Sequence, residues 1–263
     1  MALSPRLEAV LGLLTPCARL ADIGTDHAQV PVAAVQRGLA QRAVGVDLHR
    51  APLRFGQRTI QRAGLADRVA LVLGDGLLPL AADPPDAVVI AGLTGPTVVR
   101  VCAAAPAILA QVRQLILQPD RDQPPVQSSV EPAPRVRTWA RQAGWHLRAE
   151  GLVVDRGRLF ATCAFTPGTG PDPAYALPGW APETLERVGP HLVARRDPLL
   201  VAHAAQQLDY ARGHWAAGRA AFEAEVVFWT AVVAQLAEAP RPLLTTAHTP
   251  LDAPGSAPDA APP

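Results

Sequence analysis

Between Ala18 and Phe165 the apolar residues fall into short continuous runs, separated by segments in which they recur every three or four positions. Short runs bounded by turn residues suit strands buried on both faces, and the wider spacing suits amphipathic helices. Ser4 to Leu14 reads as a first short helix, opened by Ser4-Pro5. Strands are expected at Ala18–Ile23, Ala43–Val46, Val69–Leu73, Asp86–Ile90 and Gln114–Leu117. Helices are expected at Gln29–Arg37, Pro52–Ala63 and Thr97–Ala110, the last with Pro106 as an interruption. A polar loop from Asp120 to about Pro134 precedes a helix ending at Gln142. Leu152–Val154 and Leu159–Phe165 flank Asp155-Arg156-Gly157-Arg158 as an edge hairpin. This alternation predicts an α/β fold around a mainly parallel sheet covered on both faces.

Beyond Phe165 the pattern changes. Residues 167–182 are rich in Pro and Gly and read as a linker between a first domain, 1–166, and a helical one, 183–239. In the latter, Val201, Ala204, Leu208, Ala211 and Trp215 form one heptad-like stripe, and Phe222, Val226, Trp229, Val233 and Leu236 a second. With Gly218 between them, they predict an antiparallel coiled-coil hairpin or one long helix. Residues 240–263, dense in Pro, Ala and Thr, are expected to be a disordered tail.

Charge adds little to this picture at the scale of the whole chain. Basic and acidic residues number 24 and 23, and every basic residue is arginine, so only a local patch could attract nucleic acid. The three cysteines, Cys17, Cys102 and Cys163, are scattered without C-x-x-C spacing, which points to a reducing cytoplasm and to no metal site. No secretory signal is expected, nor any segment approaching the ~20 apolar residues of a membrane span, so the expectation is a soluble protein with no membrane contact.

The candidate chemistry collects at strand ends, where an open α/β sheet binds its ligand. LADIGTDH, at the end of the first strand, holds Asp22, Gly24, Asp26 and His27. It lacks the G-x-G-x-x-G cradle of a pyrophosphate site, and its carboxylates would repel phosphate. They suit a ligand with cationic groups, such as the amino group and sulfonium of S-adenosylmethionine. They also suit an Asp-capped turn with nothing bound. Asp47, after the second strand, is placed to accept ribose hydroxyls. Asp75, after the third, is placed for an adenine amino group beside Gly76. After the fourth strand, Ala91-Gly92-Leu93-Thr94-Gly95 can present bare backbone to a flat ring. Arg50, Arg54, Arg58 and Arg62 recur along one helix as a basic stripe which, with Arg195 and Arg196, could straddle an RNA backbone or be a solvated face. No aromatic interleaving is expected there.

Five such strands followed by a hairpin is the order of a Rossmann-like class I methyltransferase. The runs LADIGTDHAQVPV, VGVDLHRAPL, LGDGL, VVIAGLTG, LILQPD and VGPHL, in that order, resemble the bacterial tRNA adenine-22 N1-methyltransferase family over roughly residues 4 to 215. The resemblance implies methyl transfer from S-adenosylmethionine to N1 of adenine 22 in tRNA, in the cytoplasm. It implies Asp22, Gly24, Asp26, His27, Asp47, Asp75 and Gly76 at the cofactor, and Gly92, Thr94, Gly95, Gln118 and Pro119 around the acceptor adenine. Arg50, Arg54 and Arg58 would hold the tRNA, and Asp26, Asp120 or His27 would take a proton or offset the charge of the methylated ring. His27 is expected mainly to pack behind the cofactor loop. Leu93-Thr94 stands where the family has Met-Gly, Asp120 where it has Asn, and the loop after Asp120 is longer. Alternatives are a catalytically impaired RNA-binding relative and a class I methyltransferase with another substrate.

Overall fold

The apolar runs become the inner strands of one seven-stranded sheet of order β3-β2-β1-β4-β5-β7-β6. The computed structural model describes residues 3–120 and 132–238, so the expected loop after Asp120 and the tail from Pro240 lie outside the described residues. Strands β1 (Cys17–Ile23), β2 (Ala40–Asp47), β3 (Val69–Leu73), β4 (Ala87–Thr94) and β5 (Gln114–Asp120) are parallel. The hairpin β6 (Trp145–Asp155) and β7 (Arg158–Pro167) adds antiparallel to β5. Two strands run further than their apolar cores suggest. Ala91 pairs with Gln118 and Thr94 with Asp120 across a bulge, so both segments expected as loops are strand ends.

Helices α1 (Pro5–Leu13), α2 (Gln29–Gln36) and α3 (Arg50–Ala63) cover one face, where Leu7, Val10, Val32 and Ile60 meet Leu20, Val89 and Ile116. The other face lies under α4 (Gly95–Ala103), α5 (Pro106–Leu109) and α6 (Pro132–Gln142). The helix expected over 97–110 is split at Pro106, which has no N–H to continue it. Four further helices, α7 (Pro182–Val188), α8 (Pro190–Ala194), α9 (Pro198–Ala216) and α10 (Glu223–Glu238), extend the second core through Leu185, Leu192, Leu200 and Trp229.

The segment expected as a linker packs against β6 and the second core. Beside the bulge in β6, the buried Asp172 carboxylate accepts from the Leu147 N–H at 2.7 Å. Tyr175, three residues on, is buried in the same core. A second anchor is the buried pair of Arg137 and Glu150, 2.7 Å apart, whose free carboxylate oxygen accepts from His191 N at the start of α8. Burial alone would pull Arg137 towards neutrality, but the Glu150 carboxylate raises its pKa and keeps it charged.

After α9 the chain turns at Gly218 and returns as α10. His203 faces Trp229 and Tyr210 faces Phe222, the order of an antiparallel hairpin rather than one helix. The buried stripe of α9 is Leu200, His203, Ala204, Leu208 and Ala211, while Val201 and Trp215 are exposed. The shift arises because α9 packs on β6 as well as on α10. Contrary to expectation, Ala220–Glu238, at 19 residues, is long and apolar enough by composition to cross a membrane. Here it lies along α9, with Trp229, Val232 and Leu236 buried and Arg187 paired to Glu225.

Candidate functional site

Between β1 and β4 the sheet changes direction of growth, and there the crevice beyond the strand ends opens into a cavity of about 420 Å³. Its floor is the turn after β1. Gly24, Asp26 and Ala28 all have left-handed backbone, with φ of 75°, 44° and 55°. For the two non-glycine residues that conformation costs about 1–2 kcal/mol each, the kind of strain that persists where a site requires it. The N–H groups of Gly24 and Thr25 both donate to Val46 O, so neither is free to hold a phosphate.

Asp22, Asp26, Asp47 and Asp75 all line this one cavity. Asp22 is buried, with 3% of its surface exposed, and forms no ion pair among the described residues. Desolvation pushes its pKa up to about 7, against the lowering influence of Thr25 and of the Arg6 guanidinium. Asp47 Oδ1 accepts from His49 N at 2.8 Å, which aims the carboxylate and leaves its other oxygen for a ligand. Asp75 pairs with Arg100 at 3.2 Å along the wall, beside Gly76. His27 is not packed behind the turn: its side chain is half exposed, 3.4 Å from Asp26. The carboxylate set and the cavity size fit an adenosyl compound with cationic groups.

The opposite wall is Ala91-Gly92-Leu93. Gly92 has φ of 93°, and a Cβ there would lie 3.3 Å from the Arg6 guanidinium, so the bare backbone lets Arg6 close over it. Thr94 and Gly95 do not line the cavity. The Thr94 hydroxyl caps α4, contacting Thr97 N and Oγ1, which turns its branched side chain into the helix end. Gln118 and Pro119 are corrected too, because they lie inside β5 and are buried. The Gln118 amide donates to Arg6 O and Thr162 Oγ1, so it anchors α1 to the sheet. Asp120, at the strand end opposite Thr94, is paired with Arg158.

Arg6, which lines the cavity, is invisible as a site residue in the sequence. Arg6 and Arg158 lie 5.9 and 5.0 Å from the Phe160 ring centroid. Arg6 is 112 positions from its partner Gln118, so no local pattern signals the contact. Arg50, Arg54 and Arg58 are exposed on α3, whose first residues follow the cavity-lining Leu48 and His49. Burial pushes Cys17, Cys102 and Cys163 up to about 12, which leaves them unreactive thiols.

A doubly wound sheet of this strand order, with carboxylates at successive strand ends around one crevice, defines a Rossmann-like domain of the methyltransferase class. The chain belongs to the methyltransferase domain family, whose model matches residues 3–162. It is similar to the tRNA (adenine(22)-N(1))-methyltransferase of Bacillus subtilis (strain 168), 26% identical over 210 residues, 80% of this chain and 83% of that one. Among solved structures, the B. subtilis M1A22 tRNA methyltransferase TrmK superposes with a TM-score of 0.74 at 24% identity, over 90% of this chain and 98% of that chain. A Streptococcus pneumoniae protein in complex with S-adenosyl-L-methionine gives 0.72 at 23%, over 87% and 98%. TrmK of M. capricolum with S-adenosyl-homocysteine gives 0.74 at 16%, over 90% and 100%. These structural likenesses establish the fold, C-terminal helices included.

Proposed function

We propose that this protein methylates N1 of an adenine, position 22, in tRNA in the cytoplasm, with S-adenosylmethionine as donor. The observation that carries the reading is the convergence of Asp22, Asp26, Asp47 and Asp75 on one cavity that Gly92 and Leu93 also line. Similarity to the B. subtilis enzyme supplies the substrate.

When bound, the cofactor supplies an electrophilic methyl group on sulfur. The free oxygen of Asp47 accepts ribose hydroxyls. Asp75 and Gly76 flank the adenine, and Asp22 and Asp26 offset the cationic end. Gly92 and Leu93 offer a flat edge to the acceptor base, whose N1 lone pair needs alignment rather than a base catalyst. The methylated ring is cationic, and in this reading the Asp120 carboxylate, at the end of β5, accepts from its N6 amino group. Arg158 holds that carboxylate in place, so the pair supplies the acceptor that an asparagine would. Arg50, Arg54 and Arg58 take phosphates. Because Thr94 caps α4 and does not line the cavity, its branched side chain is no obstacle there, and an active enzyme is favoured over a binding-only relative. Labelled methyl transfer to unmodified tRNA, followed by nucleoside analysis, tests this directly: N1-methyladenosine is expected, and its absence from every tRNA tried would refute the assignment.

A further inference from the structure

Phe55 is a large apolar side chain in the wrong place for a core residue. It lies on α3, which buries only Gly56 and Ile60, and 49% of its surface is exposed. Leaving such a ring in water forgoes the usual gain of burial. Its neighbours are specific. The His27 ring lies 5.3 Å away, tilted by 49°, and the Arg58 guanidinium lies 5.8 Å from the ring centroid. The contact with His27 exists because Gly56 lets α3 press on the turn: a Cβ there would come within 3.2 Å of Ala28 and 3.3 Å of the Asp26 carbonyl.

His27 lines the cofactor cavity and Phe55 stands just outside, so the two rings form a ledge on the cavity rim. The helix around it carries Arg50, Arg54, Arg58 and Arg62 and no acidic residue, and none of the four is in an ion pair among the described residues. A flat aromatic face framed by such cations is complementary to a nucleobase on an anionic backbone, because every base has a π face and guanidinium groups take phosphate.

We propose that Phe55, backed by His27, is a stacking ledge for a nucleobase of the RNA substrate other than the methylated adenine, with Arg54 and Arg58 on the adjoining phosphates. This rests on the tRNA reading given above and extends it to a residue that no cofactor contact explains.

The test compares wild type with Phe55→Ala, Phe55→Leu and Phe55→Trp, measuring Kd for unmodified tRNA and, separately, for S-adenosylmethionine. Phe55→Ala is expected to weaken tRNA binding by roughly 5- to 150-fold, the range for loss of one base–aromatic stack. It should leave cofactor affinity and Tm unchanged. Phe55→Trp should restore tRNA affinity and Phe55→Leu should not. Wild type that binds tRNA while Phe55→Ala binds it equally well overturns the ledge alone. Full rescue by leucine also overturns it, since that is apolar contact without stacking. Wild type that neither binds nor methylates tRNA overturns the tRNA reading and the ledge with it.

Discussion

Asp22 is a buried carboxylate in no ion pair among the described residues, and its pKa of about 7 makes it the residue through which pH enters the account. In the unfolded chain it ionises near pH ~4. From there up to about 7 the folded state keeps a proton that the unfolded state has lost, so free-protein stability falls with rising pH across that window and levels off above it. A cationic ligand favours the ionised form, so cofactor affinity should rise with pH and flatten above about 7, falling about tenfold per unit below it. Calorimetry at several pH values reads this slope, and Asp22→Asn should abolish both trends. A flat affinity profile in the wild type would mean that Asp22 does not meet the cationic end. Asp47→Ala should weaken cofactor binding by about 1.5–3 kcal/mol, the worth of hydrogen bonds to a charged acceptor. Equal affinity in that variant would remove Asp47 from the site.

At the scale of elements, the tie between sheet and C-terminal helices is the Arg137–Glu150 pair. Glu150→Ala leaves a buried guanidinium and an uncapped α8, and should cost about 3–5 kcal/mol in denaturant unfolding. Replacing both partners by Met should cost less than the single change, because no charge is then stranded; a double mutant as unstable as the single would contradict that cause. The elements themselves are largely legible in the sequence. Buried parallel strands show as apolar runs, so β1 to β5 and helices α2 and α3 fall within a few residues of their expected places. What local pattern does not show is tertiary pairing. The bulge joining Thr94 to Asp120 turns two expected loops into strands, and thereby buries Gln118 and Pro119. Thr94 looks like an obstruction in the sequence because its capping role depends on where α4 begins. The strand-end aspartates are legible because the turn after a strand is local, whereas Arg6 reaches the cavity across the fold. Phe55 is hidden in a stripe whose visible signal is its charge.

Over the whole molecule the charge is close to balanced, yet α3 concentrates arginines beside the cavity mouth. Charge reversal at Arg54 and Arg58 should weaken tRNA binding and reduce the salt slope by about 0.7–0.9 for each phosphate no longer neutralised. Cofactor affinity should not change. An unaltered slope would make the stripe a solvated face. The helical hairpin contributes Arg212 and Arg219 near its turn, far fewer cations than α3 in proportion to its length. The proposed function therefore puts the main electrostatic grip on RNA at α3, around the rim where Phe55 and His27 meet. The central claim is that this cavity delivers a methyl group to one adenine edge in a folded tRNA. The most direct test is to incubate unmodified tRNA with enzyme and S-adenosylmethionine and map the methylated position by reverse-transcription arrest. The account predicts a single arrest at adenine 22, lost when that base is replaced by guanine and strongly reduced with Asp47→Ala. An arrest elsewhere, or none with protein that binds the cofactor normally, would contradict it.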